Sequence, residues 1–168
     1  ADALKIEGRG KSADYVATAV SCYRQALDAL REGALTAALK ESLVARLREV
    51  FNRGFSEGFF FNRPIADFTD RAGSQAAYRR VYVGRVTNYY KQKGVAEIHV
   101  QDSEFRVGDI LVFEGGSTGS VRLTVSEIRQ DEESVETAVR GPATVPCAER
   151  VRANNKVFRL TPAVAAST

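Results

Sequence analysis

The sequence contains no methionine, not even at its first residue. Average usage of about 2% would place several in a chain of this length. The chain therefore reads as an excised piece of something longer, with a catalytic centre expected outside it. Cysteine is nearly as scarce. Cys22 and Cys147 are the only two among 168 residues, which excludes a multi-disulfide scaffold or a four-thiolate site within this chain. A single histidine, His99, is present, so any Ser–His–Asp or Cys–His catalytic group must pass through it. No apolar run approaches the ~18 residues of a membrane-crossing helix, so no membrane contact is expected. A large excess of one charge is missing too. The formal charge of +3, from 24 Lys+Arg against 21 Asp+Glu, is too near balance to argue for nucleic acid by itself.

What is present is an ordinary globular composition. Apolar residues make up 44% and charged residues 27%, which excludes a disordered tail. The length suits one domain, or a small domain with an extension, and can bury a core without staples. Along the chain the composition breaks once. Residues 1–75 read as helical. Leu4 to Glu7 is a short apolar piece with strand character. Ser12 stands as an N-cap, and Tyr15, Val16, Ala19, Val20, Tyr23, Ala26, Leu27 and Leu30 then recur at helical spacing up to a stop at Gly33. A second helix opens at Thr36, carries Leu39, Leu43, Val44, Leu47, Val50 and Phe51 as its stripe, and ends at 52–54. Buried helix faces are the usual cause of such stripes. Residues 55–75 are irregular and aromatic, with Phe55, Phe59, Phe60, Phe61 and Phe68. They read as a linker that packs its rings against neighbouring units, since exposed aromatic patches are uncommon.

From Tyr78 the pattern turns to strands. Val81, Val83, Val86 and Tyr89 begin a series continued by 95–100, 109–113, 119–129, 134–139 and 157–160, with turn signals between them. Short strands at this spacing suggest a small closed antiparallel barrel. The tail 162–168 is small and polar and is expected to be disordered. Charge does not separate the halves: residues 1–75 carry 11 basic and 10 acidic groups, and 76–168 carry 13 and 11.

Most chemistry-bearing residues have a plain structural account. Gly8-Arg9-Gly10-Lys11-Ser12 sits where a phosphate-binding loop would sit. The full pattern needs glycine at position 5, which is Lys5, so a strand-to-helix turn capped by Ser12 is the better account. His99 alternates with Ile98 and Val100 and is expected to face solvent. The lone cysteines are expected to pack as small hydrophobes, and no Cys-x-x-Cys or Cys-x-x-His spacing supports zinc. The acidic run 131–133 reads as a solvated hairpin turn.

The strongest binding signal is 78–93. Arg79, Arg80, Arg85, Lys91 and Lys93 supply five positive charges with no acid, interleaved with Tyr78, Tyr82, Tyr89 and Tyr90. Cations neutralise phosphates while aromatic faces stack on unpaired bases. The alternative is a basic hairpin whose tyrosines half-bury.

Several ordered motifs resemble the U32 peptidases, the collagenase-like protease family. They are Leu4-Lys5-Ile6-Glu7-Gly8-Arg9, Lys11-Ser12, Tyr15-Val16-Ala17 and Tyr23-Arg24-Gln25-Ala26-Leu27-Asp28. Phe51-Asn52-Arg53-Gly54-Phe55-Ser56, Tyr82-Val83-Gly84-Arg85-Val86-Thr87-Asn88-Tyr89-Tyr90 and Arg152-Ala153-Asn154-Asn155-Lys156-Val157-Phe158 continue the match. The resemblance implies an α+β architecture. Residues 1–33 would be the last strand and helix of a TIM-barrel-like domain, with a linker to 75. Residues 76–161 would be a C-terminal β-barrel similar to the second domain of elongation factor Tu. It also implies that Glu7 and Arg9, with Lys11 in the same motif, lie near the barrel mouth, where such residues can be functional. Gly10 departs from the larger side chain common in the family. Val16 stands where some members carry cysteine, so Cys22 is not a clear equivalent. The family's cysteine-rich signature, tied in some members to an iron–sulfur cluster, is absent here and would precede residue 1.

The family is named for proteolysis, yet some members act in hydroxylation of tRNA, ribosomal RNA or quinone. No protease nucleophile–base pair is evident. The expectation is therefore a non-catalytic C-terminal region of a U32-family protein, with no catalytic residue, metal or cofactor of its own and a cytoplasmic location. It would position RNA (tRNA or ribosomal RNA) through Arg79, Arg80, Tyr82, Arg85, Tyr89, Tyr90, Lys91 and Lys93, or stabilise a catalytic domain outside this chain. The alternatives are an accessory domain of a true peptidase recognising protein such as collagen, or a structural module forming a homo-oligomer through its helical segment.

Overall fold

The computed structural model describes residues 3–55 and 74–163. Phe59, Phe60, Phe61 and Phe68, and the tail residues 164–168, lie outside the described residues. The chain divides into two units, Ala1–Tyr78 with Ala163–Thr168 and Arg79–Pro162.

The first unit holds α1 (Ala13–Arg31) and α2 (Ala37–Glu49). Ser12 caps α1, its hydroxyl accepting the Tyr15 N–H at 3.1 Å. Thr36 caps α2 through the Leu39 N–H at 3.2 Å. Each oxygen satisfies a backbone donor that has no partner inside its helix. Gly33, at φ +70, ends α1 with the Ala34 N–H returned to the Ala29 carbonyl at 2.7 Å, a left-handed step that glycine makes without Cβ strain. Residues 4–7 are not a strand. Among the described residues no neighbouring strand supplies the hydrogen bonds that would make them one. The α1 stripe is only partly the buried face: Ala19 is buried and Tyr15 and Ala26 are half-buried. α1 buries Asp14, Thr18, Ala19, Cys22 and Ala29, while Val16, Val20, Tyr23, Leu27 and Leu30 stay exposed. Small residues let helices approach closely, so small side chains occupy α1's covered face and its large ones remain uncovered.

The second unit is built on antiparallel pairing. Its strands are β1 (Tyr78–Tyr90), β2 (Val95–Val100), β3 (Phe105–Arg106), β4 (Ile110–Gly115), β5 (Gly119–Thr124), β6 (Arg129–Gln130), β7 (Glu133–Ser134), β8 (Thr137–Ala138), β9 (Gly141–Pro146) and β10 (Lys156–Pro162). Eight strands form one sheet in the order β5-β4-β10-β1-β2-β9-β6-β7, and β3 pairs β8 separately. This corrects the expected closed barrel. The terminal strands β5 and β7 are not paired with each other, because the stretch meant to bridge them splits into two-residue pieces. β9 was not expected from the sequence. Pro142 and Pro146 break its pattern, yet it pairs with β2 along its length and with β6 only at Arg129–Thr144. Proline is tolerated there because its missing N–H falls where little pairing is needed.

The core of this unit contains Phe105, Phe113, Ile98, Leu111, Ile128 and Val145, all fully buried. β1 runs through its middle between β10 and β2. At Gly84 the backbone of β1 passes so close to β2 that a Cβ would fall 2.0 Å from the His99 carbonyl oxygen. That neighbour is backbone and cannot step aside. Gly84→Ala is expected to lower the unit's unfolding free energy by about 3 kcal/mol or more, read as a fall in denaturant midpoint at unchanged slope.

Candidate nucleic-acid interface

Two sets of residues were singled out by sequence, and each lies within one unit. In the first unit, residues 8–11 form a tight turn. The Lys11 N–H donates to the Gly8 carbonyl at 3.0 Å, the Arg9 N–H donates to the Glu7 carboxylate at 2.9 Å, and Gly10 sits at φ +68. Lys11 then lays its ammonium 3.2 Å from the centre of the Phe51 ring, a cation–π contact between the start of α1 and the end of α2. Glu7 and Lys11 line one cleft of about 380 Å³ with Leu4, Tyr15, Phe51 and Phe55, whereas Arg9 does not.

In the second unit the basic segment separates into two groups. Arg80, Tyr82 and Tyr89 serve the scaffold. Arg80 spans three neighbouring strands: it pairs with Glu114 of β4 at 2.6 Å and lies 4.0 Å over Phe158 of β10. Tyr82 meets the same ring edge-on at 5.6 Å and donates its hydroxyl to Gln101 at 2.9 Å. Tyr89 packs on the core and donates to the Cys147 carbonyl at 3.1 Å. Arg79, Arg85, Tyr90, Lys91 and Lys93 are exposed. Among the described residues no ion pair engages those four cations.

A β-bulge sorts the two groups. Val86 faces Ile98 and Asn88 faces Glu97, which leaves Thr87 as an extra residue on β1. One inserted residue reverses the alternation of all that follow. Tyr89 is thereby paired with buried Ala96 and turns inward, while Tyr90 turns outward, 41% exposed. Glu97 closes the bulge. Its carboxylate accepts from the Thr87 hydroxyl at 2.5 Å and from the Tyr90 hydroxyl at 2.7 Å. These two bonds, Thr87 first, hold its pKa below the ordinary glutamate value against a small opposing effect of burial. Sequence reasoning passed over Glu97, the nearest acid after 78–93. The only available signal was its period-2 position between Ala96 and Ile98.

The histidine and the two cysteines are placed apart from one another. His99 is exposed opposite Arg85. Cys22 and Cys147 are buried, one in each unit. Burial foremost, then the Glu149 charge, raises the Cys147 pKa, and its thiol donates to the Glu149 carbonyl, so it is held as the neutral thiol.

Comparison with known proteins follows this geometry. The model of peptidase family U32 matches residues 1–69. A collagenase of Porphyromonas gingivalis is 35% identical over 157 residues, covering 93% of this chain and 38% of that protein. An uncharacterized protease of Methanocaldococcus jannaschii is 34% identical over 163 residues, 95% of this chain and 40% of that one. The tRNA hydroxylation protein P1 of Bacillus subtilis is 30% identical over 146 residues, 86% and 34%. The chain thus spans about two-fifths of the length of such curated relatives. The crystallised C-terminal domain of a Geobacillus thermoleovorans U32-type peptidase superposes with TM-score 0.44 and 17% identity, covering 47% of this chain and 91% of that one.

The division of the basic segment has a measurable consequence. Arg80→Ala is expected to cost about 2 kcal/mol of stability, the sum of a partly buried charged hydrogen bond and a cation–π contact. Arg79→Ala and Arg85→Ala should stay within about 0.5 kcal/mol of the parent. Urea unfolding of the three variants checks this, and equal losses would contradict the division.

Proposed function

The chain belongs to peptidase family U32, and we propose that it is a non-catalytic portion that grips RNA for a catalytic domain carried outside it. The observation that carries this reading is a series of exposed cations, Arg79 and Arg85 along β1 and Lys91 and Lys93 in the turn after exposed Tyr90, with no ion pair to them among the described residues. Uncommitted cations release counterions when they meet phosphates, and an exposed ring can stack on a base. Relatives named for tRNA hydroxylation support RNA as the polyanion. Arg80, Tyr82 and Tyr89 then act indirectly, by holding β1 in place. A translation-factor-like β unit, in open form, and a cytoplasmic location belong to the same proposal.

Stabilisation of a catalytic domain is the other half of it. Val16, Val20, Tyr23, Leu27 and Leu30 recur at 4-3-4-3 spacing along one exposed stripe of α1, a pattern suited to packing against further protein. Glu7, Arg9 and Lys11 at the head of that helix would help place its turn. A second reading, recognition of a protein substrate, is favoured by the collagenase relative, which aligns over 93% of the chain.

Titration of the purified chain with tRNA, ribosomal RNA fragments and denatured collagen tests these readings. RNA is expected to bind, with affinity falling with salt at a log–log slope of about −3 for four single-strand phosphate contacts. Charge reversal at Arg79, Arg85, Lys91 and Lys93 together should weaken it at least about tenfold. The chain alone should cleave none of these polymers. Salt-insensitive binding to denatured collagen, with no RNA binding, would overturn the RNA reading in favour of the second.

A further inference from the structure

We propose that the tip of the β1–β2 hairpin is a subsite for one unpaired nucleotide, with Tyr90 as its stacking platform and Glu97 as the residue that positions the ring. This rests on the RNA reading above and goes further, to single-stranded over duplex RNA.

The hairpin tip carries a shallow, open hollow. Tyr90, Lys91, Gln92 and Lys93 line a space of about 260 Å³. That is below the ~300–1,000 Å³ of pockets that enclose drug-sized ligands, and it suits a single ring system. Its lining supplies what one nucleotide needs: an aromatic face, an amide that can both donate and accept, and two ammonium groups for the flanking phosphate. Bases inside a duplex offer neither a free face nor a free pairing edge, so such a hollow selects an unpaired one.

Tyr90 differs from its neighbours in the same segment. Tyr82 spends its ring on Phe158 and Tyr89 packs on the core. Among the described residues, the one hydrogen bond of the Tyr90 side chain is at its far end, from the hydroxyl to Glu97. Among the described residues no ring or cation lies over it. A tether at the hydroxyl limits rotation of the ring while leaving it 41% exposed, which lowers the ordering cost of stacking. Glu97 is itself fixed by Thr87, the extra residue of the bulge. The bulge, the carboxylate and the ring therefore form one chain of contacts that ends at the hollow.

The test compares two short RNAs of equal length and charge, a hairpin with an unpaired loop and a blunt duplex, by fluorescence anisotropy. The chain should prefer the looped RNA. Tyr90→Ala should remove roughly five- to 150-fold of that preference, with duplex affinity unchanged. Tyr90→Phe, which keeps a ring without its tether, should fall between. Glu97→Ala should lower the preference severalfold with duplex affinity unchanged, and Glu97→Gln, which still accepts from the hydroxyl, should restore most of it. The chain has no tryptophan, so quenching of tyrosine fluorescence by the looped RNA, lost in Tyr90→Ala, reads the stack directly. If Tyr90→Ala leaves the preference intact while charge reversal at Arg85 and Lys91 weakens both RNAs, the subsite is refuted and the RNA reading stands. If neither RNA binds, both fail.

Discussion

The β unit depends on how β1 crosses it. The strand lies between β10 and β2 in the middle of an eight-stranded sheet, so an error in its register would propagate to both sides. Two local devices fix that register. At Gly84 the absence of a Cβ lets the strand approach the His99 carbonyl. Three residues later Thr87 is inserted, and Glu97 clamps the insertion with its carboxylate. A slip by one residue would send Tyr89 to solvent and Tyr90 to the core. The same devices that secure the fold therefore decide which aromatic residue is offered at the surface.

The two units differ in how completely they satisfy themselves. The β unit buries a contiguous set of large side chains. The helical unit covers mainly small residues of α1 and leaves five large apolar ones exposed. Full burial of a large apolar side chain is worth about 1.5–3 kcal/mol, so even half of that over such a stripe would be a substantial gain. The proposed packing of further protein against the helical unit rests on this asymmetry among the described residues. It also explains why periodicity alone misled there. A helical stripe records that a face is meant to be covered, but not whether the cover belongs to the same chain.

Legibility in the sequence followed the range of the interactions. The starts of both helices and the end of α1 were readable because Ser12, Thr36 and Gly33 act on backbone groups within a few residues, whereas α2 stops at Glu49, short of the expected 52–54, and leaves Val50 and Phe51 outside it. The strands 95–100 and 157–160 were readable from apolar character, and both cysteines were correctly expected to be buried. β9 was not, because Pro142 and Pro146 hide a strand whose support comes from β2, over forty positions earlier. Closure was misjudged because strand count says nothing of whether terminal strands meet. The bulge at Thr87 left no mark in the sequence, since an insertion exists only relative to a partner strand.

The basic segment illustrates the gap between a cluster in sequence and a surface in space. Five cations in 78–93 look equivalent on paper. Arg80 is committed to Glu114 and Phe158, and losing either partner would leave a partly buried charge exposed to a desolvation cost. It contributes its charge to neutralising Glu114 and so adds little to the field over the strand. Glu97, an acid outside the segment, enters the same surface through its bonds to Thr87 and Tyr90. The field at the hairpin is thus weaker than the sequence suggests, and a polyanion would be held there less by charge density than by position. Lys91 and Lys93 share a hollow with a ring held at its hydroxyl by Glu97. That arrangement favours an irregular, partly unpaired strand over the uniform rod of a duplex, because only the former can place a base on the ring while its phosphates reach the lysines.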